Sequence, residues 1–161
     1  MKKLAVFVLV ISVFSGAVFG QGQEFTFRGL PWGATQEQVI AVLGQPLVII
    51  AGRLQYPNIR IAGYDAYLEL SGASPIFRLQ EAAYRIHLID EEDEDIEKIL
   101  LDLLAKLSVL YGVPNTDNSS SPPYWVVDRT LITLSFNRLS IRSSHVIIRY
   151  QSPEINIYGK L

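Results

Sequence analysis

The chain contains no cysteine. That absence excludes disulfides, thiolate metal centres, thiol nucleophiles and a lipid-bearing N-terminal cysteine of the bacterial lipoprotein kind. Histidine is nearly absent too: His87 and His145 are the only two. Both fall on the polar register of strand-like runs, which predicts exposed surface residues. There is no Gly-x-Ser-x-Gly elbow, so a Ser-His-Asp hydrolase site has no sequence support. Nor is there a basic surplus: 14 Lys and Arg stand against 16 Asp and Glu, a formal charge of -2. Nucleic acid wants a basic face, so that class of partner is not expected.

What is present begins with an address. Lys2 and Lys3 precede the apolar run Leu4–Phe14, and small residues follow in Ser15-Gly16-Ala17-Val18-Phe19-Gly20. Charge, a short apolar core and a small-residue zone make a secretory signal peptide over 1–20, cut near Gln21. Retention of the segment as an uncleaved anchor is the alternative. Losing Lys2 and Lys3 takes the formal charge from -2 to -4. The remaining 21–161 is long enough for one domain that buries its own core. With export but no cysteines, packing alone must hold it. A periplasmic or secreted protein is expected.

Phe25-Thr26-Phe27-Arg28 alternates as a short strand with Phe25 and Phe27 inward, and Gly29–Gly33 breaks it. Thr35-Gln36-Glu37-Gln38 is a capping box, opening a helix whose apolar residues are Val39, Ile40, Val42 and Leu43. Gly44 and Pro46 stop it. From Leu47 to Leu88 the period falls to two: Ala66, Leu68 and Leu70 form one inward set, and Tyr84, Ile86 and Leu88 another. Turn material at 51–52, 57–58, 62–63 and 71–75 divides the runs. That predicts an antiparallel meander with one wet face.

The acidic run Asp90–Asp95 opens a second helix with Ile96, Ile99, Leu100, Leu103, Leu104, Leu107 and Leu110 as its stripe, and Tyr111-Gly112-Val113-Pro114 ends it. Six carboxylates in a row invite a calcium reading. The turn glycine and spaced ligands of an EF-hand are missing, so a solvated helix start favoured by the macrodipole is the better reading. No metal or cofactor is expected. Residues 115–123 read as a polar loop, containing the sequon Asn118-Ser119-Ser120. Three strands follow: Tyr124–Val127, one with Ile132, Leu134 and Phe136 inward, and one with Val146, Ile148 and Tyr150 inward.

The plan helix, Gly-x-Pro stop, meander thus occurs twice, at Gly44-Gln45-Pro46 and Gly112-Val113-Pro114. Fused half-repeats over 24–89 and 90–161 would make one α+β domain, with two helices packed on one face of an antiparallel sheet. Residues Gly33–Pro46 resemble the G-[small/Met]-[Ser/Thr]-x-x-x-Val-x-x-x-Leu-Gly-x-Pro segment of the SmpA/OmlA (BamE) family of small outer-membrane assembly proteins. The plan is similar as well to the fold of the β-lactamase inhibitor protein, where helix-plus-sheet units occur in tandem. The resemblance implies a helix on an antiparallel sheet and a binding role, though the lipid-bearing cysteine of the assembly lipoproteins is missing. Trp32, Tyr124 and Trp125 are the candidate binding residues, because Trp and Tyr dominate interface hot spots. The competing reading makes them core, with Trp32 a lid on the first helix. No catalytic residue is expected. The function expected is an exported, non-enzymatic binding protein with an envelope partner, acting through a sheet edge or the 115–125 loop. The alternative is a small secreted hydrolase using paired carboxylates.

Overall fold

The computed structural model describes residues 26–72, 76–117 and 121–153. The segment 1–20 expected to be a signal peptide, Phe25 and the sequon at 118–120 lie outside the described residues. The class is α+β, with two helices and a seven-stranded antiparallel sheet. In chain order the elements are α1 (Gln36–Leu43), β1 (Val48–Ile50), β2 (Arg53–Ile61), β3 (Tyr64–Gly72) and β4 (Leu79–Ile89), then α2 (Asp93–Tyr111), β5 (Tyr124–Val127), β6 (Thr130–Ser140) and β7 (Ser143–Gln151).

Spatial order is β1-β2-β3-β4-β7-β6-β5. Each meander runs by hairpins between neighbours, and the two meet through their last strands. The β4–β7 seam is a continuous register from Glu81↔Gln151 to Ile89↔Ser143. Strands this central lose no ladder bonds to solvent on either side, so the seam is the rigid middle of the sheet.

The helix boundaries follow from local chemistry. The Thr35 hydroxyl accepts from the Gln38 N–H at 3.3 Å, and Gln38 Oε1 accepts from the Thr35 N–H at 2.8 Å. Two of the four orphan donors at the helix start are thereby satisfied. At the other ends, Gly44 (φ 84°, ψ -174°) and Gly112 (φ 86°, ψ -167°) adopt nearly the same conformation. Each sends its N–H back four residues, to Ile40 O and Ser108 O at 2.9 Å. This region of φ and ψ is open to glycine almost alone.

One buried cluster unites Val39 of α1 and Ile96, Leu103 and Leu107 of α2 with a single register of the strands: Leu54 and Tyr56, Leu68 and Leu70, Tyr84 and Ile86, Val146 and Ile148, Ile132 and Leu134. Polar atoms tie the helices to that register. Tyr56 Oη donates to Gly44 O at 3.1 Å, Tyr64 Oη donates to Asp102 Oδ2 at 2.8 Å, and Tyr111 and Tyr150 hydroxyls stand 3.3 Å apart.

Five expectations need correction. Phe27 makes only an isolated bridge with Leu30, so 25–28 is no strand, although Phe27 is buried. Pro57-Asn58 is not a turn but a bulge inside β2, where the register shifts between Tyr56 and Ile59. In α2, Tyr111 joins the core and Leu110 is 59% exposed, because Tyr111 continues the Leu103–Leu107 spacing of four. Val42 of α1 is exposed. Phe136 is also exposed, since no strand lies outside its part of β6 among the described residues.

Candidate functional site

β5 pairs with β6 only from Thr130 to Thr133. One further bond, Leu134 N–H to Pro123 O at 3.1 Å, ends the cover. That bond points the outer backbone groups of Leu134 away from β7. Strand alternation then points those of Phe136 and Arg138 the same way. From Phe136 to Ser140 every residue is exposed. Beside this edge lies an apolar hollow of about 430 Å³, lined by Leu100, Leu101 and Leu104 of α2, Ser121-Pro122-Pro123, and Leu134, Ser135 and Phe136. Leu101 and Leu139 are more than half exposed, and Ile141 almost fully. Strand backbone with no partner among the described residues, next to an apolar shelf, is the geometry that accepts an added strand.

The three aromatic candidates part company here. Tyr124 stands on β5, half-buried, opposite Thr133. Its backbone bridges to Asn115 through bonds of 2.7 and 3.0 Å, and its hydroxyl donates to Asp117 Oδ1 at 3.0 Å. That hydrogen bond and the Asp117 charge raise the Tyr124 pKa. The loop mouth beside the hollow is therefore pinned by Tyr124. Trp125 points the other way, as consecutive strand residues must. It is 1% exposed, and its indole N–H donates to Gly112 O at 2.8 Å. As a surface anchor Trp125 is corrected: it is core, joining β5 to the end of α2. Trp32 is half-buried against the core and donates to Thr130 Oγ1 at 2.9 Å. It therefore links the entry of α1 to the start of β6.

The strand register opposite the core carries charge. Glu69 is only 6% exposed, yet it is fully occupied: Arg85 Nη2 donates to Oε1 at 3.0 Å and Gln55 Nε2 to Oε2 at 3.2 Å. Burial pushes its pKa up, but the Arg85 hydrogen bond and charge, with Gln55 and Arg53, outweigh that and leave it lowered. Arg149 and Gln151 similarly face Glu81, at 3.4 and 3.0 Å. Alternation read this register as simply wet; the long Arg and Gln side chains in fact roof over Glu69. The acidic run is dispersed: Asp93 pairs with Arg138, Asp95 with Lys98, and the Asp90 N–H donates to Arg142 O.

His87 and His145 are direct cross-strand partners on the same register. His87 is exposed, as expected, whereas His145 is half-buried. Nothing local in the sequence signals their meeting, because it depends on β4 lying beside β7. No helix among the described residues is long and apolar enough to cross a membrane. Comparison with known proteins finds no matching family model, no matching curated protein and no matching solved structure.

Proposed function

We propose that this chain is an exported, non-enzymatic binding protein of the cell envelope that takes an extended segment of a partner protein onto the outer edge of β6. Its first 20 residues act as the signal, and 21–161 forms one domain of two fused helix-plus-meander units, periplasmic or secreted. Both helices lie against the core register, which leaves the β6 edge as the exposed working surface.

The observation that carries this reading is the open backbone of Phe136–Ser140 beside the leucine-lined hollow. Main-chain pairing supplies affinity in such an arrangement, and the hollow selects an apolar side chain at alternate positions of the guest. The edge and the 115–125 loop, two separate candidates in the sequence, adjoin one another here, since Ser121, Pro122 and Pro123 form one wall of the hollow. The likeness of Gly33–Pro46 to the SmpA/OmlA segment accords with a binding role. Against hydrolysis, a general acid needs a carboxyl held protonated near neutral pH. Glu69, the most buried carboxylate described, is pulled the opposite way by Arg85.

The test places a photo-crosslinking amino acid at Phe136 or, for contrast, at Asn58 on the opposite outer edge, in the full chain expressed in its own cell. A discrete higher-mass adduct from position 136 and none from position 58 is expected. Equal labelling from both positions, or no adduct at 136, would overturn the reading. Intact mass of the exported protein should lack about 20 residues.

A further inference from the structure

The chain's two histidines sit directly opposite each other in the central seam of the sheet. Their ring centroids are 4.9 Å apart with the planes at 75°. The Tyr67 ring stands 5.9 Å from His145, edge to face, and His87 Nε2 lies 2.8 Å from Ser143 Oγ. With only two histidines in 161 residues, this adjacency is not a consequence of composition.

We propose that His87 and His145 form a two-imidazole chelate for a divalent late transition metal, with Cu2+ held most tightly. The spacing fits. A metal bound at roughly 2.0–2.1 Å by two imidazole nitrogens, with an angle near 100° between them, separates the ring centres by about 5 Å. The edge-to-face arrangement becomes a chelate by rotation about χ2, a broad torsion in histidine. The backbones that carry the rings need not move, because both strands are paired on each side: β4 between β3 and β7, and β7 between β4 and β6. Rigid elements of this sort hold ligand geometry better than loops.

The electrostatic setting is permissive. The nearest fixed cation, Arg85, is neutralised by its ion pair with Glu69 at 3.0 Å. Asn137, the β6 partner of His145, and Tyr67 on β3 add no charge at neutral pH. Imidazole nitrogens suit copper, nickel and zinc, and the order of affinities places Cu2+ highest. Two protein ligands leave the remaining positions to water, and Ser143 Oγ, 2.8 Å from His87 Nε2, orients that ring. Such a site is open to exchange, unlike a closed structural centre.

The experiment titrates the full chain with Cu2+, Zn2+ and Mn2+ in a non-chelating buffer, read by calorimetry and, for copper, by electron paramagnetic resonance. One Cu2+ per chain is expected, with hyperfine structure from two nitrogens, weaker Zn2+ binding and no Mn2+ binding. His87→Ala and His145→Ala should each weaken Cu2+ at least tenfold while circular dichroism and melting of the metal-free protein stay unchanged. Copper affinity unaltered by both substitutions, or no binding at 100 times the protein concentration, would overturn the proposal. The readout is independent of the β6 edge and survives or fails separately from it.

Discussion

The two outer edges of the sheet begin alike and end differently. On each side a short strand covers only the start of a long one: the three residues of β1 against β2, and the four of β5 against β6. On the β2 side, Gln55 O points outward to the Leu47 N–H at 2.8 Å. The next outward donor would belong to residue 57, and residue 57 is proline. Asn58 then takes φ 55° and the register slips. A missing N–H, a bulge and the Arg60–Asp65 ion pair blunt that edge in three ways. On the β6 side the register with β7 slips only between Arg138 and Ser140, Arg138 pairs with Asp93, and no proline removes an N–H. The difference is the proline: the β2 edge loses a donor where β1 ends, whereas from Phe136 to Arg138 β6 keeps its donors and has no partner strand among the described residues. That open edge adjoins the apolar hollow.

The largest expected effect tests what limits the open edge. Trp125 anchors β5, the strand that shortens it. Trp125→Ala should cost about 3–5 kcal/mol in urea unfolding, as removal of a buried indole does. Amide exchange of Thr130–Thr133 should accelerate beyond what global destabilisation explains, because β5 loses its hold on the core and on Gly112 O. Leu54→Ala, its counterpart under the other edge, should cost about 2–5 kcal/mol with no such local opening. Equal local opening at both edges would break the comparison.

A second pair of variants asks whether the two halves share their helix stops. Gly44→Ala and Gly112→Ala each force a Cβ into glycine-only backbone space at φ 84° and 86°. The added Cβ would meet no atom beyond its chain neighbours within 4 Å among the described residues, so the cost is conformational alone. Each should lose about 1–3 kcal/mol, and the two losses should agree closely. A large difference would argue against one stop built twice.

Acid sharpens the contrast between sides, because Gln55 of β2 is tied to the buried carboxylate of Glu69, whereas the carboxylate that Arg138 of β6 holds, Asp93, is exposed. The Glu69 pKa is lowered in the folded protein. Its stabilisation is therefore fully present above the ordinary carboxylate range near pH 4 and is lost as pH falls through the lower folded value. Exchange at β2 and β3 should speed up in that window before exchange at β6 and β7. Glu69→Gln should flatten the acid limb of the stability profile, and an unchanged limb would remove Glu69 from the account.

Legibility in the sequence tracked distance along the chain. The Thr35–Gln38 box and the Gly44 and Gly112 stops were readable because their partners lie within four residues. The inward sets of β3, β4 and β7 followed from period two alone. Pro57-Asn58 looked like a turn because a bulge uses the same residues, and only the continuation of pairing at Ile59 distinguishes them. The separation of Tyr124 from Trp125 was implicit in alternation, whereas the exposure of Phe136 depends on where β5 ends. The His87–His145 contact and the roofing of Glu69 by Arg85 require the strand order, which no short spacing encodes.

The smallest stability effects carry the most about the edges themselves. Phe136→Lys puts a charge on the open edge at a residue already 38% exposed, so unfolding free energy should change by no more than about 0.5 kcal/mol. Partner cross-linking from Leu101, on the far wall of the hollow, should nevertheless fall away. Pro57→Val does the reverse, restoring a strand-forming residue with an N–H on the guarded side. Stability should again move by less than about 1 kcal/mol. Light scattering at high protein concentration should rise for this variant, because an edge stripped of its proline offers one more row for another chain to pair with. If Pro57→Val stays monomeric while Phe136→Lys leaves cross-linking intact, neither edge is governed by its backbone, and the contrast between them loses its meaning.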